Sequence, residues 1–300
     1  MTTTTTLRPV DRVVTAHRQE EGGGFVVRRP FPTAGADHFD PFLLLDELGP
    51  VEYGPGEAIG APQHPHRGFE TVTYMLHGAM EHRDSTGGVG VIRPGAVQWM
   101  TAGSGIIHSE MPTDDMTRRG GLNHGFQIWV NLPAADKMTA PRYQGFEAEE
   151  FTRVALPGGG MLRVLAGTIA GHAGPVETSI PITYGHATLA PGDAVEWEVA
   201  DGETALAHVF DGAADVSGTS ARSGQLVVHE RSSGVVRVSV PADGEGAEIL
   251  LLGGRPIDEP IARHGPFVMN TREEIVQAVD DFNAGRLGSI PAVGSGVSRP

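Results

Sequence analysis

Turns govern what this chain can fold into. Its 300 residues include 42 glycines and 22 prolines, and each of those residues interrupts a helix, by conformational freedom in one case and by a missing N–H in the other. A chain punctuated this often favours short strands and tight turns, so an all-β architecture is expected. The runs between the turns agree. Thr71–Leu76, Gly90–Arg93 and Gly125–Val130 alternate apolar and polar residues, as half-buried strands do. Phe25–Arg29 reads as a strand stopped by Pro30, after the loop signal Glu21-Gly22-Gly23-Gly24. Beyond residue 150 the same texture returns at Met161–Val164, Ala187–Leu189, Ala194–Val199, Ala205–Phe210, Gln225–His229, Val235–Val240 and Glu248–Leu252. Alternation lapses between Asn131 and Tyr143, which places a domain boundary there and divides the chain into 1–135 and 136–300. One helix stands out, at about 271–284. Thr271 and Glu274 form a capping box, and Ile275, Val279 and Phe282 follow on one face before Gly285.

Charge and cysteine content remove whole classes of function. The formal net charge is −15, which repels phosphate backbones and anionic bilayers, so neither a nucleic acid nor a membrane is expected as a partner. There are no cysteines, hence no disulfide, thiolate nucleophile or thiol switch. The start of the chain lacks the apolar core of a signal peptide, and no run approaches the ~18 apolar residues of a spanning helix. A soluble, cytoplasmic, acidic β protein is expected. The segment Ile92–Trp99 also echoes Leu189–Trp197 through a shared Pro-Gly turn, a weak sign of two related halves.

Histidine is concentrated. His64, His66, His77, His82, His108 and His124 fall in one stretch, whereas His172, His186, His208, His229 and His264 are scattered singly. In a strand, residues two apart share a face, so His64-Pro-His66 offers two imidazoles side by side. A composition like this one yields on the order of one such pair by chance. The same parity brings Glu70 to that face if no bulge intervenes at Gly68, although Glu70 could equally be exposed or pair with Arg67. His108-Ser-Glu110 is a second pair of donors two apart. The two pairs set opposite each other in a barrel would supply three imidazoles and a carboxylate, a set that suits a first-row transition metal and leaves a position open. His77, His82 and His124 read as surface or structural groups. The second half has no partners at metal spacing and is expected to be metal-free.

Five segments together carry a resemblance. They are Pro62–Tyr74 (PQHPHRGFETVTY), His82–Gly87 (HRDSTG), Pro94–Pro112 (PGAVQWMTAGSGIIHSEMP), Phe126–Pro133 (FQIWVNLP) and His264–Ile275 (HGPFVMNTREEI). In combination they resemble the pirin family of the cupin superfamily, from about residue 60 to 285. The resemblance implies a bicupin, two antiparallel jelly-roll β-barrels face to face with a short C-terminal helix, and one metal in the first barrel. It implies His64, His66, His108 and Glu110 as metal ligands, choosing Glu110 over Glu70, and Glu110 also as the catalytic base. His77 departs from the acidic residue expected in bacterial relatives.

The function implied is that of a metal-dependent dioxygenase of the quercetinase type, which cleaves a flavonol or another enolic substrate with O2 and releases carbon monoxide. The alternative is a non-catalytic, redox-sensitive iron protein that binds a transcription factor or a metabolic enzyme. The donor set accepts iron, manganese, nickel, cobalt or copper, and the resemblance favours iron, as Fe2+ or Fe3+, in a monomer. Some of Phe69, Met75, Trp99, Met100 and Phe126 are expected in the cavity wall.

Overall fold

The computed structural model describes residues 6–21 and 23–291. Met1–Thr5 of the polar start, and Gly22 of the glycine loop, lie outside the described residues. Antiparallel strands build two barrels. In the first, a four-stranded sheet runs in the order Ala61–His66, Ile106–Pro112, Met80–Asp84, Val89–Ile92. Its opposing seven-stranded sheet runs Arg142–Phe146, Val97–Thr101, Phe69–His77, Gly121–Asn131, Phe42–Tyr53, Phe25–Phe31, His17–Glu21. The second barrel follows the order Val10–Thr15, Gln225–His229, Thr204–Val216, Ala247–Gly254, Ile182–Leu189, Met161–Ala166, Thr152–Ala155, with Ala194–Val199 and Gly234–Ser239 paired across it. Among the described residues no helix is long and apolar enough to cross a membrane.

The barrels meet through one apolar core. Val72, Tyr74, Trp99, Phe126 and Ile128 of the first pack with Leu165, Tyr184, Leu206, Phe210 and Leu250 of the second. Strand alternation explains the division of labour on Phe69–His77: Val72 and Tyr74 face the second barrel, leaving Thr71 and Thr73 for the interior of the first. A separate core of Leu162, Val164, Val195, Trp197, Val236, Val238, Ile249 and Leu251 fills the second barrel.

Sheet membership differs from a division at residue 135 in two places. Val10–Thr15 pairs with Gln225–His229 of the second barrel, and Arg142–Phe146 extends the first barrel beside Val97–Thr101. Each barrel thus borrows a strand from the other's stretch of sequence, which a lapse in alternation cannot reveal. Nor does Pro30 stop its strand. The pairing with Phe42–Tyr53 slips between Arg28 and Phe31, so no ladder bond is asked of the proline. The two Pro-Gly turns of the internal echo lead to different places: Val97–Thr101 pairs with Phe69–His77, whereas Ala194–Val199 pairs with Gly234–Ser239. Their likeness is turn chemistry.

The helix forms at Arg272–Asn283 with the expected capping box at Thr271 and Glu274. Ile275 and Ala278 bury against Phe267, Met269 and Leu287, beside Ile107 on the outside of the first barrel. Phe282, at the edge of the stripe, is 38% exposed. The C-terminal segment therefore crosses back to the first barrel. Arg67 donates to Asp281 at 2.7 Å and to the Ser104 carbonyl at 2.7 Å. Lys137, fully buried, donates to the Gly68 carbonyl (2.8 Å), Asn131 Oδ1 (2.7 Å) and the Val268 carbonyl (3.0 Å), and burial lowers its ammonium to about 8.

In the second barrel, burial pushes His229 down to about 4. The sign follows directly. Below about 6.5 the unfolded chain protonates this imidazole while the folded chain does not, so stability falls with pH until about 4. Replacing it, His229→Gln, is expected to flatten the stability profile by about 1.4 kcal/mol per pH unit in that window. Urea unfolding of both proteins at pH 7.5, 6 and 5 measures the difference; parallel profiles would refute it.

Candidate metal centre

Ala61–His66 and Ile106–Pro112 lie antiparallel, with His64 opposite His108 and His66 opposite Ile106. The two-residue spacing then turns His64, His66 and His108 to one face, where one ring nitrogen from each lies within 4.8 Å of the others. His64 Nε2 and His66 Nε2 are 3.0 Å apart, and the rings of His64 and His108 are 4.3 Å apart between centroids. His64 Nδ1 donates to the Pro62 carbonyl at 2.7 Å, which leaves Nε2 with its lone pair free. His66 and His108 are almost fully buried. Burial first, and then the neighbouring imidazoles, hold both well below the ordinary imidazole range, so these rings are neutral. His108 Nε2 is buried without a hydrogen-bond partner. Imidazole nitrogens that converge in this way, one of them buried without a partner, fit a transition-metal ion.

Glu110 lies two residues beyond His108 on the same strand and borders the same cavity, but its carboxylate is not among the donor atoms that lie within 4.8 Å of one another. Its two oxygens accept from Thr73 Oγ1 (2.7 Å) and Gln127 Nε2 (3.1 Å), groups that face each other across adjacent strands. Glu70 does not join it. Gly68, at φ +87°, ends one strand and the next begins at Phe69, so the parity that would have carried Glu70 to the histidine face is reset. Glu70 points toward the second barrel, fully buried. There it accepts from Trp99 Nε1 (2.9 Å), Thr101 Oγ1 (2.7 Å) and Ser179 Oγ (2.8 Å). The Arg67 pairing goes to Asp281 instead.

His64, His66 and Glu110 border a cavity of about 640 Å³. Its wall contains Phe25, Leu44, Leu48, Tyr53, Ile59 and Trp129. The five candidates for that wall belong to packed cores. Trp99 and Phe126 face the second barrel, Met75 packs on Met80 and Ile92, Met100 on Ala102 and Ile106, and Phe69 on Leu43 and Val268. Alternation explains the error for Trp99 and Phe126, which share the outward face of Val72 and Tyr74.

Charged groups also line the cavity. Arg29 donates to Asp46 at 2.6 Å and pairs with Glu21 at 2.7 Å, while burial lifts Asp46 to about 6 against that attraction. The Arg263 guanidinium lies 4.8 Å from the Trp129 ring centroid, and that indole lies 5.3 Å from the His66 ring. Of the remaining histidines, His124 contacts buried Glu47 at 2.9 Å and His77 is exposed. His82 is fully buried next to His108, a position for which only the HRDSTG run gave any signal.

Residues 24–130 match the Pirin family and residues 184–288 match the Pirin C-terminal cupin domain. The chain belongs to the pirin family. A pirin-like protein of Caulobacter vibrioides is 44% identical over 94% of this chain and 99% of its own length. A Pseudomonas aeruginosa relative, provisionally named a quercetin 2,3-dioxygenase, is 43% identical over 91% of this chain and 95% of that one. The crystal structure of quercetin 2,3-dioxygenase from Acinetobacter baumannii superposes with a TM-score of 0.89 at 38% identity, covering 95% of this chain and all of that one. The bicupin architecture of this pirin is thereby placed among known structures, and its histidine cluster lies inside the segment that matches the Pirin family.

Proposed function

We propose that this pirin is an oxygen-dependent, iron-containing dioxygenase that opens a flavonol or a related enol and releases carbon monoxide. The observation that carries the reading is the convergence of three imidazoles beside a cavity of about 640 Å³, within the range of small-molecule sites. His64, His66 and His108 would hold the metal, with Glu110 as the fourth ligand. A metal bound there supplies Lewis acidity and redox capacity. Glu110, held by Thr73 and Gln127, is placed to take the proton of the substrate's enol hydroxyl. Leu44, Leu48 and Ile59 exclude water from the reacting carbons, and the indole of Trp129 offers a face for an aromatic ring. Names carried by the Pseudomonas and Acinetobacter relatives support the same chemistry.

The cavity also favours an enzyme over a regulator, because a switch protein that reports iron oxidation state has no need of a substrate-sized space beside its metal. The test is carbon monoxide release from quercetin in air by iron-loaded protein. Release in proportion to bound iron is expected. A metal-loaded protein that releases none, with quercetin and with simpler enols, would favour the redox-sensitive regulator, whose protein partner would then be sought by pull-down under reducing and oxidising conditions.

A further inference from the structure

We propose that His82 and Asp84 form a positioning relay that fixes the tautomer of His108 and so presents its Nε2 to the metal; the inference rests on the metal-centre reading and extends it. Both residues lie on Met80–Asp84, which pairs with the ligand strand so that Asp84 faces His108 and His82 faces Glu110. Both side chains are fully buried. A carboxylate and an imidazole in a barrel wall are costly to bury, and such pairs persist where they hold a geometry.

The hydrogen bonds run in one direction. Asp84 Oδ1 accepts from the Thr86 N–H (2.8 Å), the Thr86 hydroxyl (2.6 Å) and the Gly88 N–H (3.1 Å), which pins the carboxylate. Burial alone would raise the Asp84 carboxyl, and the bonds from Thr86, His82 and Gly88 reverse that, so it is ionised and can only accept. Its free oxygen, Oδ2, lies 3.1 Å from His82 Nε2, which must therefore donate. With Nε2 directed at Asp84, the nitrogen that His82 turns to His108 is Nδ1, and it faces His108 Nδ1 at 3.5 Å. In the relay the proton between the two rings sits on His108 Nδ1 and His82 accepts it. Nε2 of His108 is left as the basic nitrogen, the same atom that is buried without a partner. Tyr143 packs against the His82 ring and limits its rotation. His64 takes its tautomer from the backbone carbonyl of Pro62, so His108 is the ligand whose orientation a side-chain substitution can disturb.

The direct test uses the unmodified, metal-free full-length chain. Long-range 1H–15N correlation of the imidazoles should show His108 protonated on Nδ1; protonation on Nε2 would overturn the relay. The second measurement is Co2+ affinity and the visible d–d spectrum of full-length variants, with circular dichroism verifying the fold. His82→Phe keeps the bulk and removes both bonds, and should weaken Co2+ by about tenfold to a hundredfold with a changed spectrum. His82→Gln, whose amide can donate to Asp84 and accept from His108, should recover most of both. Unchanged affinity and spectrum in folded His82→Phe would refute the proposal, as would failure of the glutamine to rescue. None of these readouts depends on carbon monoxide release, so the relay and the dioxygenase chemistry can fail separately.

Discussion

His108→Ala is expected to lose its metal and with it all carbon monoxide release, while the barrels stay folded. His108 contributes one of three convergent nitrogens, and its ring sits against both of the others. Partners one step removed from a metal are already worth about 10–100-fold in affinity, so deleting a ligand should exceed about a hundredfold. The fold does not depend on it. The apolar cores that join and fill the barrels contain none of the three histidines. Thermal unfolding separates the two effects. Metal that binds only the folded protein stabilises it by about 2.7 kcal/mol at a hundred times its dissociation constant. The wild type should therefore gain Tm on adding Fe2+ or Co2+, and the variant should not. His64→Ala and His66→Ala should behave alike. A variant that retains stoichiometric metal would remove His108 from the ligand set.

The histidine cluster was legible because it depends on the simplest property of a strand. Spacing of two residues determines a shared face, and antiparallel pairing of two such strands does the rest, as the His64–His108 register demonstrates. Most strands were legible for the same reason: Ala194–Val199 and Gln225–His229 are bounded as their alternation and turns indicate. What alternation could not carry was anything that passes through a break in it. Gly68 adopts a left-handed conformation at the one point where parity would have linked Glu70 to the histidines. Phe42–Tyr53 is apolar on both faces, with Phe42 and Leu45 in the core between barrels and Leu44 and Leu48 on the cavity, so no pattern distinguishes wall from core. Arg263 reaches Trp129 only because the C-terminal segment returns to the first barrel, a contact made by topology. The helix could be placed by its capping box, but the surface it covers could not.

The two candidate carboxylates should separate cleanly when each is truncated. Glu70→Ala leaves the buried Trp99 indole N–H and Thr101 hydroxyl without their acceptor and removes the bond to Ser179. Leaving a buried neutral donor unsatisfied costs about 1–3 kcal/mol, and Ser179 comes from the second barrel's segment, so the loss falls on the joint between the two. Co2+ affinity of the surviving folded fraction should change little, because Trp99, Thr101 and Ser179 hold Glu70 on the face of its strand turned toward the second barrel. Glu110→Ala has the opposite signature. Its partners Thr73 and Gln127 are left beside an open cavity, where water can replace the lost oxygens, so stability should change by about 1 kcal/mol or less. Metal affinity and carbon monoxide release should both fall. Glu110→Gln should keep the two hydrogen-bonding positions but lose the base, and so retain the fold without turnover. Denaturant unfolding, metal titration and gas release on the same three proteins decide the matter. If Glu110→Ala kept its metal and its activity while a folded Glu70→Ala lost both, the carboxylate of this centre would be Glu70.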